Sequence, residues 1–178
     1  MPFAMTLARR GRGRMAALAG LMLALAGCGA AVAPEPVPVY RMSDAPIGST
    51  LRGAASDLNG AWQVAEAYPD GPVAPGDRVT LQLDGQGAGV ARIVSQDVAR
   101  LLPVKPAGPG RFEVEGATWW LLWVDDDFRS AVIGEPGGRF GWIMHRPGAV
   151  GYDRARAARE ILDFNGYDTG ALAPARGG

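Results

Sequence analysis

The sequence from Gly60 to Arg146 never runs more than about a dozen residues without a turn signal. Apolar stretches end in turn-forming residues at Pro69-Asp70-Gly71, Asp84-Gly85, Gly116, Asp125-Asp126-Asp127, Glu135-Pro136-Gly137-Gly138 and Pro147-Gly148. Glycine and proline at these places supply positive φ or a preset turn, and they interrupt long helices. Eight short segments lie between the breaks. They are 60–68, 78–83, 89–94, 99–106, 111–115, 118–124, 128–134 and 139–146. In 78–83, RVTLQL, Val79, Leu81 and Leu83 share one face, the period-two pattern of a half-buried strand. Pro103 marks 99–106 as an edge or bulged strand, since proline brings no ladder donor. Eight short strands joined by tight connections predict an all-β fold, and consecutive hairpins predict an eight-stranded up-and-down antiparallel barrel.

The pattern changes once. Asp153 to Phe164 reads DRARAAREILDF, and Ala157, Ile161 and Phe164 recur at helical spacing with Ala158 and Leu162 beside them. Asn165-Gly166 supplies the stop. A single amphipathic C-terminal α-helix after eight strands buries its stripe against the outside of the sheet.

The N-terminal segment is of another kind. Arg9, Arg10, Arg12 and Arg14 precede the uncharged run MAALAGLMLALA, which is shorter than the ~20 residues of a membrane-spanning helix. A basic start, a short apolar run and small residues before a cut describe an export signal over 1–27. Removing it takes four arginines and no acids from a chain of 18 basic and 18 acidic residues, leaving a formal charge of −4. That balance offers no basic face, so no nucleic-acid partner is expected. The single cysteine, Cys28, excludes an internal disulfide, and the single histidine argues against a multi-histidine metal site. At 48 % hydrophobic and 20 % charged residues, the chain is not disordered throughout. The prolines of 28–56 suggest an extended tether, and 173–178 a flexible tail, leaving one domain over 57–172.

Leu25-Ala26-Gly27-Cys28 resembles the lipobox of bacterial lipoproteins. That resemblance implies cleavage before Cys28, a diacylglycerol on its thiol and an acyl chain, palmitate or similar, on its amine. Gly29, where an Asp tends to mean inner-membrane retention, then implies an outer-membrane anchor with the domain facing the periplasm. Gly60-Ala61-Trp62 resembles the Gly-x-Trp that opens the first strand of lipocalins. Leu122 to Arg129 resembles that family's second segment, an acidic hairpin followed by an aromatic, with Phe128 where tyrosine is usual. Trp142 to Arg146 resembles its last strand with a closing arginine, and Gly166-Tyr167-Asp168 is similar to the bacterial outer-membrane lipocalins. The family pattern implies that Gly60, Trp62, Trp142 and Arg146 close one end of the barrel, with Arg146 across the Trp62 ring. Between Trp62 and Trp119 the chain is shorter than is usual in the family, which implies a shallow cavity.

With Trp62 inward, strict alternation puts Val64, Glu66 and Tyr68 on the same side. Trp119, Leu121 and Trp123 share a face opposite Trp120, Leu122 and Val124. Both faces are apolar, and the first set is taken as the inner one. Phe140, Trp142 and Met144 share a face of the last strand. These residues are the candidate lining for a small hydrophobic ligand such as a fatty acid or lysophospholipid. Asp125–Asp127 reads as a turn rather than a metal site, Ser130 lacks a nucleophile-elbow context, and His145 has no evident partner. No catalysis and no cofactor are expected. The alternative is a barrel with a filled core that acts as a protein-interaction or protease-inhibitor-like module, with no partner identified.

Overall fold

A computed structural model of the chain describes residues 36–50, 52–148 and 150–175. The segment read as an export signal, Cys28 and the last three residues lie outside these. Eight strands follow one another: β1 (Gly60–Ala67), β2 (Arg78–Leu83), β3 (Gly89–Ser95), β4 (Val98–Gly108), β5 (Arg111–Val114), β6 (Ala117–Val124), β7 (Ser130–Gly134) and β8 (Gly141–His145). Each pairs antiparallel with the next, and β1 pairs with both β8 and β2, so the sheet closes into a barrel. Closure removes the unpaired edges that an open meander of this length would expose. β4 is not an edge strand. It pairs with β3 along 98–104 and with β5 from 104 onward, so Pro103 lies where only β3 is paired with it.

The meander sorts the connections to two ends. At the base lie the β2–β3, β4–β5 and β6–β7 turns and a short 3-10 turn, Ala55–Leu58. At the mouth lie the Tyr68–Asp77 loop, the Gln96-Asp97 turn, the Glu115-Gly116 turn and the Glu135–Phe140 loop.

The helix α1 (Tyr152–Phe164) packs outside, against β7 and β6. Its buried residues are Ala158 and Leu162. The helical stripe read from the sequence is therefore rotated: Ile161 is half-buried, and Phe164 is 77 % exposed. Phe164 lies two residues past fully buried Leu162, on the face of the helix turned away from the sheet.

The chain ahead of the barrel is docked from Tyr40 onward rather than free. The Tyr40 amide donates to Gly138 O at 2.7 Å, and Tyr40 O accepts from the Asp168 amide at 2.8 Å. Arg41 is buried; it donates to Asn165 O at 2.7 Å, to Pro136 O at 3.1 Å and to Ala45 O. Tyr40 stacks on Tyr68, and Tyr68 on Tyr167, with centroids 4.7 and 5.5 Å apart. Further along, the Thr50 amide donates to Leu121 O, and Ser49 meets Arg111. The strap thus descends from mouth to base. Two glycines are built for it. A Cβ on Gly138 (φ +74°) would fall 2.4 Å from Arg41 Cβ, and one on Gly166 (φ +83°) 2.4 Å from Ala45 Cβ. The tail also departs from expectation: Ala173–Pro174 forms β9, paired with β1 at Glu66 and Ala67.

Candidate functional site

The barrel interior is one apolar cluster. Trp62, Val64 and Ala67 come from β1, Val79, Leu81 and Leu83 from β2, Trp119, Leu121 and Val124 from β6, and Trp142 and Met144 from β8. A second cluster lies outside, between the sheet and α1. It holds Tyr68, Leu122, Val132, Ile143, Ala158, Leu162 and Tyr167.

Two β-bulges decide which residues belong to which cluster. On β1, Val64 pairs with Met144 and Glu66 with Ile143, so Ala65 is an extra residue and the alternation slips by one. Ala67 therefore points inward, while Glu66 and Tyr68 point outward. Strict alternation had placed Glu66 and Tyr68 inside. Glu66 instead accepts two bonds from Arg159 Nε of α1, at 2.8 and 3.0 Å, and Tyr68 Oη donates to Asp168 O at 3.0 Å. Burial first, then the neighbouring Tyr167 and Asp168, pushes the Tyr68 phenol well above its ordinary value. On β6, Leu121 pairs with Ile133 and Trp123 with Val132, so Leu122 is the extra residue. Trp119, Leu121 and Val124 point inward. Trp123, expected inside, packs with Trp120 and Leu122 in the outer cluster. Val64, Phe140, Trp142 and Met144 lie on the inner face, as their spacing implies.

At the base, Arg146 lies over Trp62 with its guanidinium carbon 3.9 Å from the ring centroid. Its nitrogens donate to Phe128 O at 3.0 Å and to Ala61 O and Asp57 O at 3.3 Å. Trp62 Nε1 donates to Leu58 O at 2.8 Å, fastening the 3-10 turn under the barrel. Burial lowers the Arg146 pKa, with Arg129 adding to the effect. Gly60 belongs here too: its missing side chain leaves room for Arg146, whose Nη1 would lie 3.0 Å from a Cβ.

The interior above this seal is nearly full. The remaining cavity measures about 20 Å³ and is lined by Leu58, Val79, Leu81, Leu83, Val104, Phe112, Trp119, Ile133, Trp142 and Met144, all apolar. That is room for about one water, whereas small-molecule sites usually offer ~300–1,000 Å³. Trp119 meets Trp142 edge-on with centroids 4.9 Å apart, and Phe140 stacks on Trp142 at 6.0 Å. Trp142 Nε1 is buried without a hydrogen-bond partner.

The mouth is covered by the Tyr68–Asp77 loop. Its Val73 is 4 % exposed and joins the inner cluster, and a Cβ on Gly71 would touch Phe140 Cβ at 3.2 Å. Buried Asp77 holds the loop: its Oδ2 accepts from the Ala74 amide at 2.8 Å and from Ser95 Oγ at 2.6 Å. Arg100 reaches across to Pro72 O at 2.6 Å. Alternation in RVTLQL gives Val79, Leu81 and Leu83 as lining. Nothing local in the sequence pairs Asp77 with Ser95, because that contact depends on barrel register.

The structure also pairs two residues that the sequence leaves separate. Ser130 on β7 lies opposite His145 on β8, and Ser130 Oγ is 2.7 Å from His145 Nδ1. Ser130 is fully buried on the outer face, so no substrate reaches its hydroxyl. Among the described residues no cluster of three or more metal-ligating side chains occurs.

A family model for the lipocalin-like domain matches residues 67–176, well over half of the chain. The chain belongs to the lipocalin-like family. Solved structures show the same fold at low identity. Lobster apocrustacyanin A1 aligns with a TM-score of 0.57 at 14 % identity, over 80 % of this chain and 94 % of that one. Insecticyanin from the tobacco hornworm Manduca sexta gives 0.54 at 14 %, over 79 % and 88 %. The cockroach allergen Per a 4 gives 0.54 at 12 %, over 75 % and 95 %. No curated protein matches the sequence. In this lipocalin-like chain the Gly60–Trp62 opening and the closing Arg146 meet at the barrel base, and the strap and α1 occupy the outer face.

Proposed function

We propose that this protein is a lipid-anchored binder of a small hydrophobic molecule, held through Cys28 in the outer membrane with its barrel in the periplasm. One observation carries the binding reading: a small space inside the closed barrel, above the base turn at Leu58, is lined wholly by apolar side chains. Apolar surface of that kind favours an acyl chain or a compact hydrocarbon over a polar metabolite. With about 20 Å³ free, the occupant enters only if Val73 and Phe140 swing away from the mouth. The lining of that space carries no charged side chain, so a fatty acid would enter tail first. Its carboxylate would stay outside the mouth, in water. The bound state is a non-enzymatic complex serving storage, transport or repair of envelope lipids.

The near-full interior favours a second reading, a solid barrel that presents its surface to a protein. Competition with a fluorescent fatty acid separates the two. The first reading requires saturable binding that a non-fluorescent fatty acid displaces. It also requires tighter or faster binding in Asp77→Ala, where the loop latch is broken. A protein whose tryptophan emission never responds to the probe fits the second reading.

A further inference from the structure

Seven large apolar side chains are strongly exposed among the described residues: Val37, Val39, Met42, Val98, Leu101, Tyr152 and Phe164. Five of them crowd the mouth end. The Met42 amide donates to Gly166 O, and Tyr40 is bonded to Gly138 of the Glu135–Phe140 loop. Met42 therefore sits at the mouth, beside the end of α1 where Phe164 protrudes. Val37 and Val39 lead into that corner. Val98 starts β4 next to the Gln96-Asp97 turn, on the opposite rim. Leu101 lies on the flank, and Tyr152 alone is at the base end, where Arg154 pairs with Asp125 and Asp127 of the β6–β7 turn.

We infer that the mouth end of the barrel, through Val37, Val39, Met42, Phe164 and Val98, docks on the surface of a zwitterionic lipid bilayer. The inference rests on the reading of Cys28 as lipidated. Eight residues separate Cys28 from Val37. Fully extended, they and the flanking bonds reach about 30 Å at ~3.3–3.6 Å per residue. An eight-residue strand such as β1 is itself ~27 Å long at ~3.3 Å per residue. The leash joins the domain at the mouth, so it would have to be fully stretched along the barrel to bring the base to the membrane. Letting the mouth approach leaves it slack. Apolar side chains that reach the headgroup boundary then gain burial, while the acyl anchor keeps the encounter local.

Charge selects the lipid. Asp70, Asp97, Asp163 and Asp168 are exposed around the same end. Of the rim cations Arg78, Arg100 and Arg139, the last two are paired with Glu115 and Glu135, so the four aspartates outweigh Arg78. A rim of this sign is repelled by anionic headgroups and tolerates zwitterionic ones. The loop over the barrel interior would then face the bilayer directly.

The test uses the mature protein purified from membranes, with its Cys28 adduct weighed by intact mass spectrometry. Once Cys28 is blocked by lipid, single thiols introduced as Met42→Cys, Val98→Cys, Phe164→Cys and Tyr152→Cys can each carry an environment-sensitive fluorophore. The proteins are reconstituted into vesicles of phosphatidylcholine and phosphatidylethanolamine and quenched with iodide. The expected result is a severalfold fall in quenching at 42, 98 and 164, none at 152, and weaker protection when phosphatidylglycerol is added. An intact lipid adduct with equal quenching at all four positions overturns the docking and leaves the anchor standing, and so does protection at 152 alone. A mass without any lipid on Cys28 overturns both.

Discussion

At residue scale the most consequential contact is Arg146 on Trp62. The guanidinium gives a cation–π contact and three hydrogen bonds to carbonyls, so it both covers the indole and ties the strand end to the 3-10 turn. Arg146→Met keeps the apolar stem and loses the rest. It should lower stability by about 2–3 kcal/mol in a denaturant titration, given ~0.5–2 kcal/mol for the cation–π contact and partly exposed hydrogen bonds. The Glu66–Arg159 pair is worth less. Arg159 is half-exposed, and Glu66→Gln should cost under about 1 kcal/mol.

His145 sets a pH dependence. Burial holds its imidazole below the ordinary value; Glu66 and Asp125 oppose the shift, and Arg154 reinforces it. The unfolded chain therefore takes up a proton more readily than the folded one. The stabilisation from the neutral ring is complete above the unfolded value of ~6.5 and is lost as pH falls from there toward the folded value. Wild-type stability should drop across that window, and His145→Asn should flatten the curve. An equally steep curve in the variant would assign the loss to other groups.

At the scale of elements, the helix offers a direct contrast. Leu162 is fully buried against the sheet, and Phe164 is not. Leu162→Ala should cost ~2–4 kcal/mol as a cavity-forming change, and Phe164→Ala close to nothing. The sequence period alone ranks Phe164 as a core position. It fails because the buried stripe runs through Ala158, Leu162 and Asn165, one residue round the helix from Ala157, Ile161 and Phe164, and that rotation is set by what the sheet and strap meet rather than by the local period. The strands were more legible. Their number, order and approximate limits follow from turn residues, and Val79, Leu81 and Leu83 follow from alternation. The inner faces of β1 and β6 were not legible past the bulges. Ala65 and Leu122 carry no mark that distinguishes a bulge from a regular position, and one unpaired residue reverses every later side chain. Deleting Ala65 should therefore restore plain alternation, with Glu66 still outward opposite Ile143 and Ala67 still inward, and the variant should keep cooperative unfolding in a denaturant titration. A deletion variant that no longer unfolds cooperatively would show that the barrel needs the local bend the bulge supplies.

At the scale of the molecule, the strap changes what the N-terminal region does. Proline-rich composition suggests a solvated tether, yet the segment from Tyr40 is tied to α1, the Glu135–Phe140 loop and β6. Those partners are 70 to 125 residues away in sequence, so no local signal announces them. Gly138→Ala collides with Arg41, and it also strains a left-handed backbone position. It should release the strap and raise hydrogen exchange at Tyr40 and Met42 while leaving the barrel amides protected. Loss of protection throughout would show that strap and barrel unfold as one unit.

The same scale holds the functional question, because a barrel this full must open to bind. Native mass spectrometry of the mature protein, stripped of lipid and then offered a long-chain fatty acid and its methyl ester, asks whether it does. One retained molecule per chain, lost when a bulkier side chain replaces Ala91 on the inner face, is the predicted result. A spectrum showing only the unliganded mass at saturating concentrations would contradict it.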